Sequence, residues 1–365
     1  MPPAFSTHRQ AAAFAILLAV LLIAPVFLAN SSRTDRQDMY RAIPRKYGPF
    51  SWIQQQIFSE TNDVDIAFMG SSHIWCGIHT PYVQQQLSNQ LGREAEVFTL
   101  GWPWAGFDAL YFIARDLLTQ RKVRMIVIYD EDRSPIVPHP QAARWFRIGN
   151  DSEAIAGLNI PSKISLYGSA VLGVPRTLLS MARPNLIEDP MQSSPDFWES
   201  QFHAPRFAEQ LGAFRSQLGF NNKRSDFSIF TPPAVATSED TVIYNAASQD
   251  AFKFSERPMR PYQLHFARKL AKLCQENGTR LVILDLPVFQ ERENEKILER
   301  GAWPELLNEP VDIIGIPGAK LFAGIPAEDI PRFFYNKSHL NQNGQDRFTP
   351  LITPALFKLY ASTNF

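Results

Sequence analysis

The chain reads as an α/β protein, a doubly wound parallel sheet with helices on both faces. Three observations predict it. Mostly apolar runs at 64–69, 96–100, 125–129 and 280–286 have strand length and alternate with helix-length segments. Strands separated by helices return through right-handed crossovers, which makes neighbouring strands parallel. At 365 residues, 45% of them hydrophobic, the chain can bury a substantial core, as one large domain or one domain with a big insertion.

Charge excludes some partners. The 36 acidic and 36 basic side chains balance, so no net field favours nucleic acid. Cys76 and Cys274 form no CxxC pair and no metal-ligand spacing, and two separate buried thiols are expected rather than a disulfide. Residues 11–29 are uninterruptedly apolar, with Pro25 the one helix breaker. As a helix they rise roughly 28 Å, close to the thickness of a bilayer's hydrocarbon. They predict a membrane anchor within an N-terminal unit, 1–30. Phe27-Leu28-Ala29 is a poor cleavage site, so the anchor is read as uncleaved. Orientation is contested: Arg33, Arg36, Arg41, Arg45 and Lys46 follow the span while Arg9 precedes it. The positive-inside rule alone puts the main domain in the cytoplasm, although long domains translocate despite flanking charge.

A linker with a short amphipathic helix at 50–60 completes residues 31–60, and the α/β domain occupies 61–365. After the first strand, Thr80 is the expected N-cap of a helix with Pro81 at its first position. The second strand ends at Gly101-Trp102-Pro103-Trp104, a helix covers 107–120, and the third strand runs into Asp130-Glu131-Asp132-Arg133. Between 135 and 258 the alternation fades into Pro, Phe, Trp, Ser and Arg, which reads as an inserted lid or subdomain with short helices near 175–182 and 196–218. Regularity returns with a helix at 261–277, closed by Gly278, and the strand at 280–286. A polar helix is expected at 291–300, and a closing helix at 345–360 interrupted by Pro350 and Pro354.

Chemistry concentrates where strands end. The first strand stops at Gly70-Ser71-Ser72-His73, and a strand, a sharp glycine turn and a hydroxyl lift a nucleophile to the carboxyl edge of a sheet. The second strand ends at Leu100-Gly101 and the third at the acidic cluster. A late stretch, Asn336-Lys337-Ser338-His339-Leu340-Asn341-Gln342-Asn343-Gly344, supplies an imidazole. This order, with its His-Leu-Asn-x-x-Gly, resembles the SGNH (GDSL-like) hydrolase and acyltransferase superfamily over roughly 64–133 and 281 to the C-terminus. The resemblance implies a flavodoxin-like sheet, Ser72 as nucleophile, His339 as general base, and the Ser72 and Gly101 amides as oxyanion donors. It also implies a membrane-anchored bacterial form with its main domain in the periplasm. The expected work is O-acetyl ester hydrolysis or transfer on a cell-surface or exported polysaccharide, without a cofactor. Other envelope assembly proteins are candidate partners.

Two positions depart from the family pattern. Asn336 stands where it has Asp, three residues before the histidine. An amide orients imidazole but cannot stabilise imidazolium with a charge. The family's oxyanion asparagine aligns near Asp132, and a carboxylate there would oppose an oxyanion. Either Arg133 holds Asp132 away from the site, or Asp132 serves as the acidic partner of His339. These departures support a second reading, a catalytically silent scaffold binding glycan or a partner protein. A third, a cytoplasm-facing esterase acting on lipid, follows from the positive-inside signal. His73, Trp102 and Trp104 are candidate substrate contacts, with packing the competing use for the tryptophans. His79 and His139 sit in Pro-flanked loops with no expected chemistry, and Asp130, Glu131 and Asp132 lack the His or Cys needed for a metal site.

Overall fold

The computed structural model of the chain describes residues 5, 7–30, 36–41, 43, 49–129, 138–142, 145, 152–183, 242–244, 252–253, 259–298, 306, 309–334 and 337–363. Asp130, Glu131, Asp132, Arg133 and Asn336 lie outside them, as does the helix expected at 196–218.

Strand β1 (Val64–Gly70) is buried along its whole length and lies between β2 (Val97–Gly101) and β3 (Val123–Tyr129), parallel to both. An all-apolar strand with one Asp at its start is what a position covered on both faces requires. Beyond β3 lie β6 (Arg280–Leu284) and β8 (Val311–Gly315), also parallel, and β4 (Val242–Tyr244) closes the edge antiparallel. The order β2-β1-β3-β6-β8-β4 holds five parallel strands in the sequence 2-1-3-4-5. Its direction of winding reverses between β1 and β3, and in open α/β sheets the crevice at such a switch point takes the ligand. A separate two-stranded ribbon pairs β5 (Phe252–Lys253) with β7 (Ile297–Leu298).

Side chains of β1 and β3 alternate between two cores. Ala67, Met69, Ile126 and Ile128 join α3 (Phe50–Phe58), α6 (Phe107–Gln120) and α9 (Pro261–Glu276) on one face. Ile66, Phe68, Met125 and Val127 join α5 (Thr80–Leu91) and α11 (Gln342–Ala361) on the other. The helices on both faces are therefore present as the strand–helix alternation predicts.

Several expectations need correcting. Thr80 is the first residue of α5 rather than its cap; its hydroxyl meets Thr99 Oγ1 across the sheet edge (2.6 Å), and His79 takes the cap position. Residues 292–298 form no helix: a 3₁₀ turn (Phe289–Glu291) leads into β7. The closing helix begins earlier, with Asn341 as N-cap accepting from the Gly344 amide, and runs uninterrupted through Pro350 and Pro354. Each proline removes a helix hydrogen bond, but Phe348, Leu351, Ile352, Leu356 and Leu359 bury this helix against the sheet, and that packing outweighs the loss. The helix near 175–182 is the end of a longer one, α8 (Ile160–Ala182), which follows α7 (Ser152–Ala156). The expected insertion also contributes the edge strand β4. Cys76 and Cys274 are free and buried, and burial pushes the Cys274 thiol up to about 12 and Cys76 higher.

At the N-terminus α1 (His8–Asn30) lies against α8. Among the described residues no helix is long and apolar enough to cross a membrane. Apart from Trp104, the exposed large apolar side chains among the described residues are Phe5, seven on α1, and Ile160, Ile164, Leu178 and Leu179 on α8.

Candidate active site

Gly70 ends β1 with φ 151°, a backbone setting that glycine adopts freely and side chains resist. The chain thereby turns within one residue from strand to α4 (Ser72–Gly77), with Ser71 as N-cap and Ser72 as the first helical residue. Ser72 thus sits at the carboxyl edge with its amide among the first-turn N–H groups that lack an intrahelical acceptor.

His339 arrives from the opposite end of the chain. A 3₁₀ turn (Ile330–Phe333) and an antiparallel bridge between Phe334 and Leu340 bring it to the same edge. Asn341 ties this loop together. Its amide N–H donates to Phe333 O (2.9 Å), and its side-chain Nδ2 donates to Arg332 O (2.7 Å) and Phe334 O (3.2 Å). Gly344 fits where a Cβ would lie 2.4 Å from Phe333 O. The His-Leu-Asn-x-x-Gly run therefore has a structural account: its Asn and Gly build the mount for its His.

Ser72 Oγ and His339 Nε2 lie 2.9 Å apart although 267 residues separate them in sequence. With the hydroxyl donating, the neutral ring carries its proton on Nδ1, which faces Ser338 Oγ at 3.5 Å. Both groups are buried, and burial lowers the His339 pKa to about 4. The ring is neutral at pH 7, with its Nε2 lone pair directed at the hydroxyl.

His73 completes a column of rings. It stacks on His339 (centroids 4.3 Å, planes 18° apart) and on its other side on Tyr129 (4.5 Å, 10°), the last residue of β3. Its Nδ1 lies 3.3 Å from Ser71 Oγ. Sequence reading offers His73 as a candidate substrate contact; in the structure its ring packs against the imidazole beside the serine. Tyr129 was missed, and its position at the strand end next to the acidic cluster is the signal that pointed there.

Gly101 pairs in register with Gly70, and the Trp102 amide is engaged by Gly70 O (3.1 Å). A Cβ on Gly101 would lie 1.9 Å from Trp75 Nε1, so the indole of α4 requires glycine here whatever its amide does. Trp102 is fully buried in the core, which is the packing use weighed against substrate contact, whereas Trp104 is 41% exposed. His79 contacts Asp346 (3.6 Å) and Thr349, and His139 is buried in a separate network. Among the described residues no cluster of three metal-ligating side chains occurs.

The chain matches no protein-family model and no curated protein.

Proposed function

We propose that this protein is a serine esterase or O-acyltransferase of SGNH type. Its substrates are O-acyl (acetyl) esters of a cell-surface or exported polysaccharide. The observation carrying the reading is the 2.9 Å contact between Ser72 Oγ and a neutral, buried His339 Nε2 at the sheet's switch-point edge. A serine hydroxyl is weakly nucleophilic until a base within hydrogen-bond reach takes its proton, and this pair meets that geometry. Ser72 Oγ attacks the acyl carbonyl while its proton passes to His339 Nε2. The oxyanion forms against the Ser72 and Gly101 amides, each such donor being worth about 2.7–4 kcal/mol. His339 returns the proton to the leaving sugar oxygen, leaving an acyl-serine. Water or an acceptor hydroxyl then attacks it, its proton taken by the same imidazole, so hydrolysis and transfer share one intermediate. The apolar segment 11–29 holds the chain at the cytoplasmic membrane with the α/β domain outside.

One observation favours the second reading, a silent scaffold that binds glycan or an envelope partner. A ring held at about 4 by burial resists the imidazolium the mechanism needs, by about 3 kcal/mol relative to a solvated histidine. Asn336 brings no charge to offset that.

Fluorophosphonate labelling of the full chain in detergent separates the two. The esterase reading expects wild type to label and Ser72→Ala and His339→Ala not to. A folded wild-type protein that stays unlabelled over hours at pH 8 points to the scaffold.

A further inference from the structure

Three features converge on the loop that follows β2. First, Trp104 is the one non-glycine residue with positive φ among those described, at 66°. A left-handed setting in a bulky residue persists only where the surroundings impose it, and such residues gather at active sites and ligand clamps. Second, Trp104 is 41% exposed, and every other exposed large apolar side chain described belongs to Phe5, α1 or α8. Among the described residues of the α/β core no other large apolar side chain is so exposed.

Third, the loop is braced from below. Gln141 N–H donates to His139 Nδ1 (3.1 Å), which puts the ring proton on Nε2, and Nε2 donates to Pro103 O (3.1 Å). The His139 amide donates to Asp108 Oδ2 (2.8 Å), and the same oxygen accepts from Tyr262 OH (3.0 Å). Gln263 Oε1 accepts from the Phe107 amide (2.6 Å). Gly106 admits this network closely, since a Cβ there would lie 2.6 Å from Asp108 Oδ1. The indole meets the His139 ring edge-on (centroids 6.4 Å, 63°). A buried polar network therefore fixes the peptide preceding an exposed, strained indole. That indole stands three residues after Gly101, whose partner Gly70 leads into Ser71-Ser72.

Resting on the acyl-serine reading above, we propose that Trp104 is the platform on which a pyranose ring of the glycan stacks while its ester or hydroxyl meets Ser72. A rigid indole face offers a large apolar area with little conformational entropy to lose, which suits the C–H face of a sugar. Two other occupants fit poorly. Residues 101–109 contain no Lys or Arg, so this loop offers a nucleic-acid backbone no phosphate partner. A lone indole is also no continuous apolar surface of the kind lipid requires.

The test is calorimetric titration of the full chain in detergent with β-1,4-linked hexasaccharides of glucose, N-acetylglucosamine and mannuronate. At least one is expected to bind, with Trp104→Ala weakening it tenfold or more and Trp104→Phe staying within about threefold. Circular dichroism and the urea midpoint of both variants are expected to match wild type, which reports an intact fold. The platform is overturned if none of the three saccharides binds, if Trp104→Ala binds as wild type does, or if Trp104→Phe loses binding as fully as Trp104→Ala. Trp104-dependent binding by a wild-type protein that never labels would sink the acyl-serine reading and leave the platform standing.

Discussion

The two ends of β1 each hold a buried polar cluster, and they handle charge in opposite ways. At the amino end Asp65 accepts two hydrogen bonds from Arg93 (2.8 and 2.6 Å), one from the Glu96 amide (2.9 Å) and one from Tyr360 OH. Arg124 lies over the Tyr360 ring at 4.2 Å. Burial pushes the Asp65 pKa up, but the bonds from Arg93, Tyr360 and Glu96 more than offset it, and the carboxylate stays ionised. At the carboxyl end no formal charge is described. A hydroxyl and an imidazole face each other, and burial keeps the imidazole neutral. The amino end also has a cavity of about 480 Å³ lined by Asn62, Asp63, Arg93, Glu94, Glu96 and Arg124. There Arg93 is already paired with Asp65, and Glu96 with Arg121 at 3.4 Å. A cluster that closes its own hydrogen bonds holds a fold together; a neutral hydroxyl facing a neutral imidazole is the arrangement that the proposed acyl-serine chemistry requires.

The largest expected effects separate these roles. Ser72→Ala and His339→Ala should each lower acyl turnover or fluorophosphonate labelling by roughly a thousandfold or more. Asp65→Ala should leave the labelling rate of the folded protein within about twofold. A large rate loss in Asp65→Ala at full foldedness would erase the distinction.

Next in size is pH. The His339 ring, with a pKa of about 4 folded and near 6.5 when unfolded, binds its proton in the unfolded chain first as pH falls. Its contribution to stability is thus present above about pH 6.5 and is lost between there and about pH 4, by up to about 3 kcal/mol. Urea melts of wild type and His339→Gln at pH 7 and 4.5 read this directly, since the glutamine variant should lose less stability over that interval. The labelling rate should hold from pH 8 to about 5 and fall tenfold per unit below about 4. A midpoint near 6.5 in either experiment would mean the ring is solvated or paired with an acid.

Asp65→Ala should then cost about 1–3 kcal/mol of stability, because it leaves the buried Tyr360 hydroxyl and the Glu96 amide short of their acceptor. Arg93 is more than half exposed and loses little. The sign is that of ordinary acid denaturation: Asp65 stabilises above the usual carboxylate range and stops doing so as pH falls through its lowered pKa. Equal urea midpoints for wild type and Asp65→Ala at pH 7 would refute the structural role.

How much of this was legible follows from the range of each interaction. The strands β1, β2, β3 and β6 announce themselves by local apolar runs, and their crossover helices by amphipathic spacing, so the parallel sheet can be read directly. Strand β8 hides because Asp312 breaks the apolar run of Val311–Gly315 and Pro310 and Pro317 flank it, and β4 because three residues cannot signal an edge strand. Ser72 and His339 were nominated by a Gly turn and a His-Leu-Asn run, yet their meeting depends on the Asn341 bonds and the bridge at Phe334, which have no local signature. The buried Asp108–His139 network was invisible for the same reason. Its members come from α6, the loop at 138–142 and α9, and only the packing of α6 against α9 joins them.

The smallest effect concerns His73, and it tests whether the reactive end depends on geometry as the structural end depends on charge. Stacked between Tyr129 and His339, the His73 ring limits how the base can tilt relative to Ser72 Oγ. Offset aromatic contacts of this kind are worth about 0.5–1.5 kcal/mol, so His73→Ala should slow labelling by about 2- to 10-fold. His73→Phe keeps a flat ring and should recover most of that rate, although it cannot bond Ser71 Oγ. If phenylalanine fails and His73→Asn succeeds, the contact with Ser71 matters and the stack does not. If all three label at the wild-type rate, the mount built by Asn341 and Gly344 orients His339 without help from its neighbour.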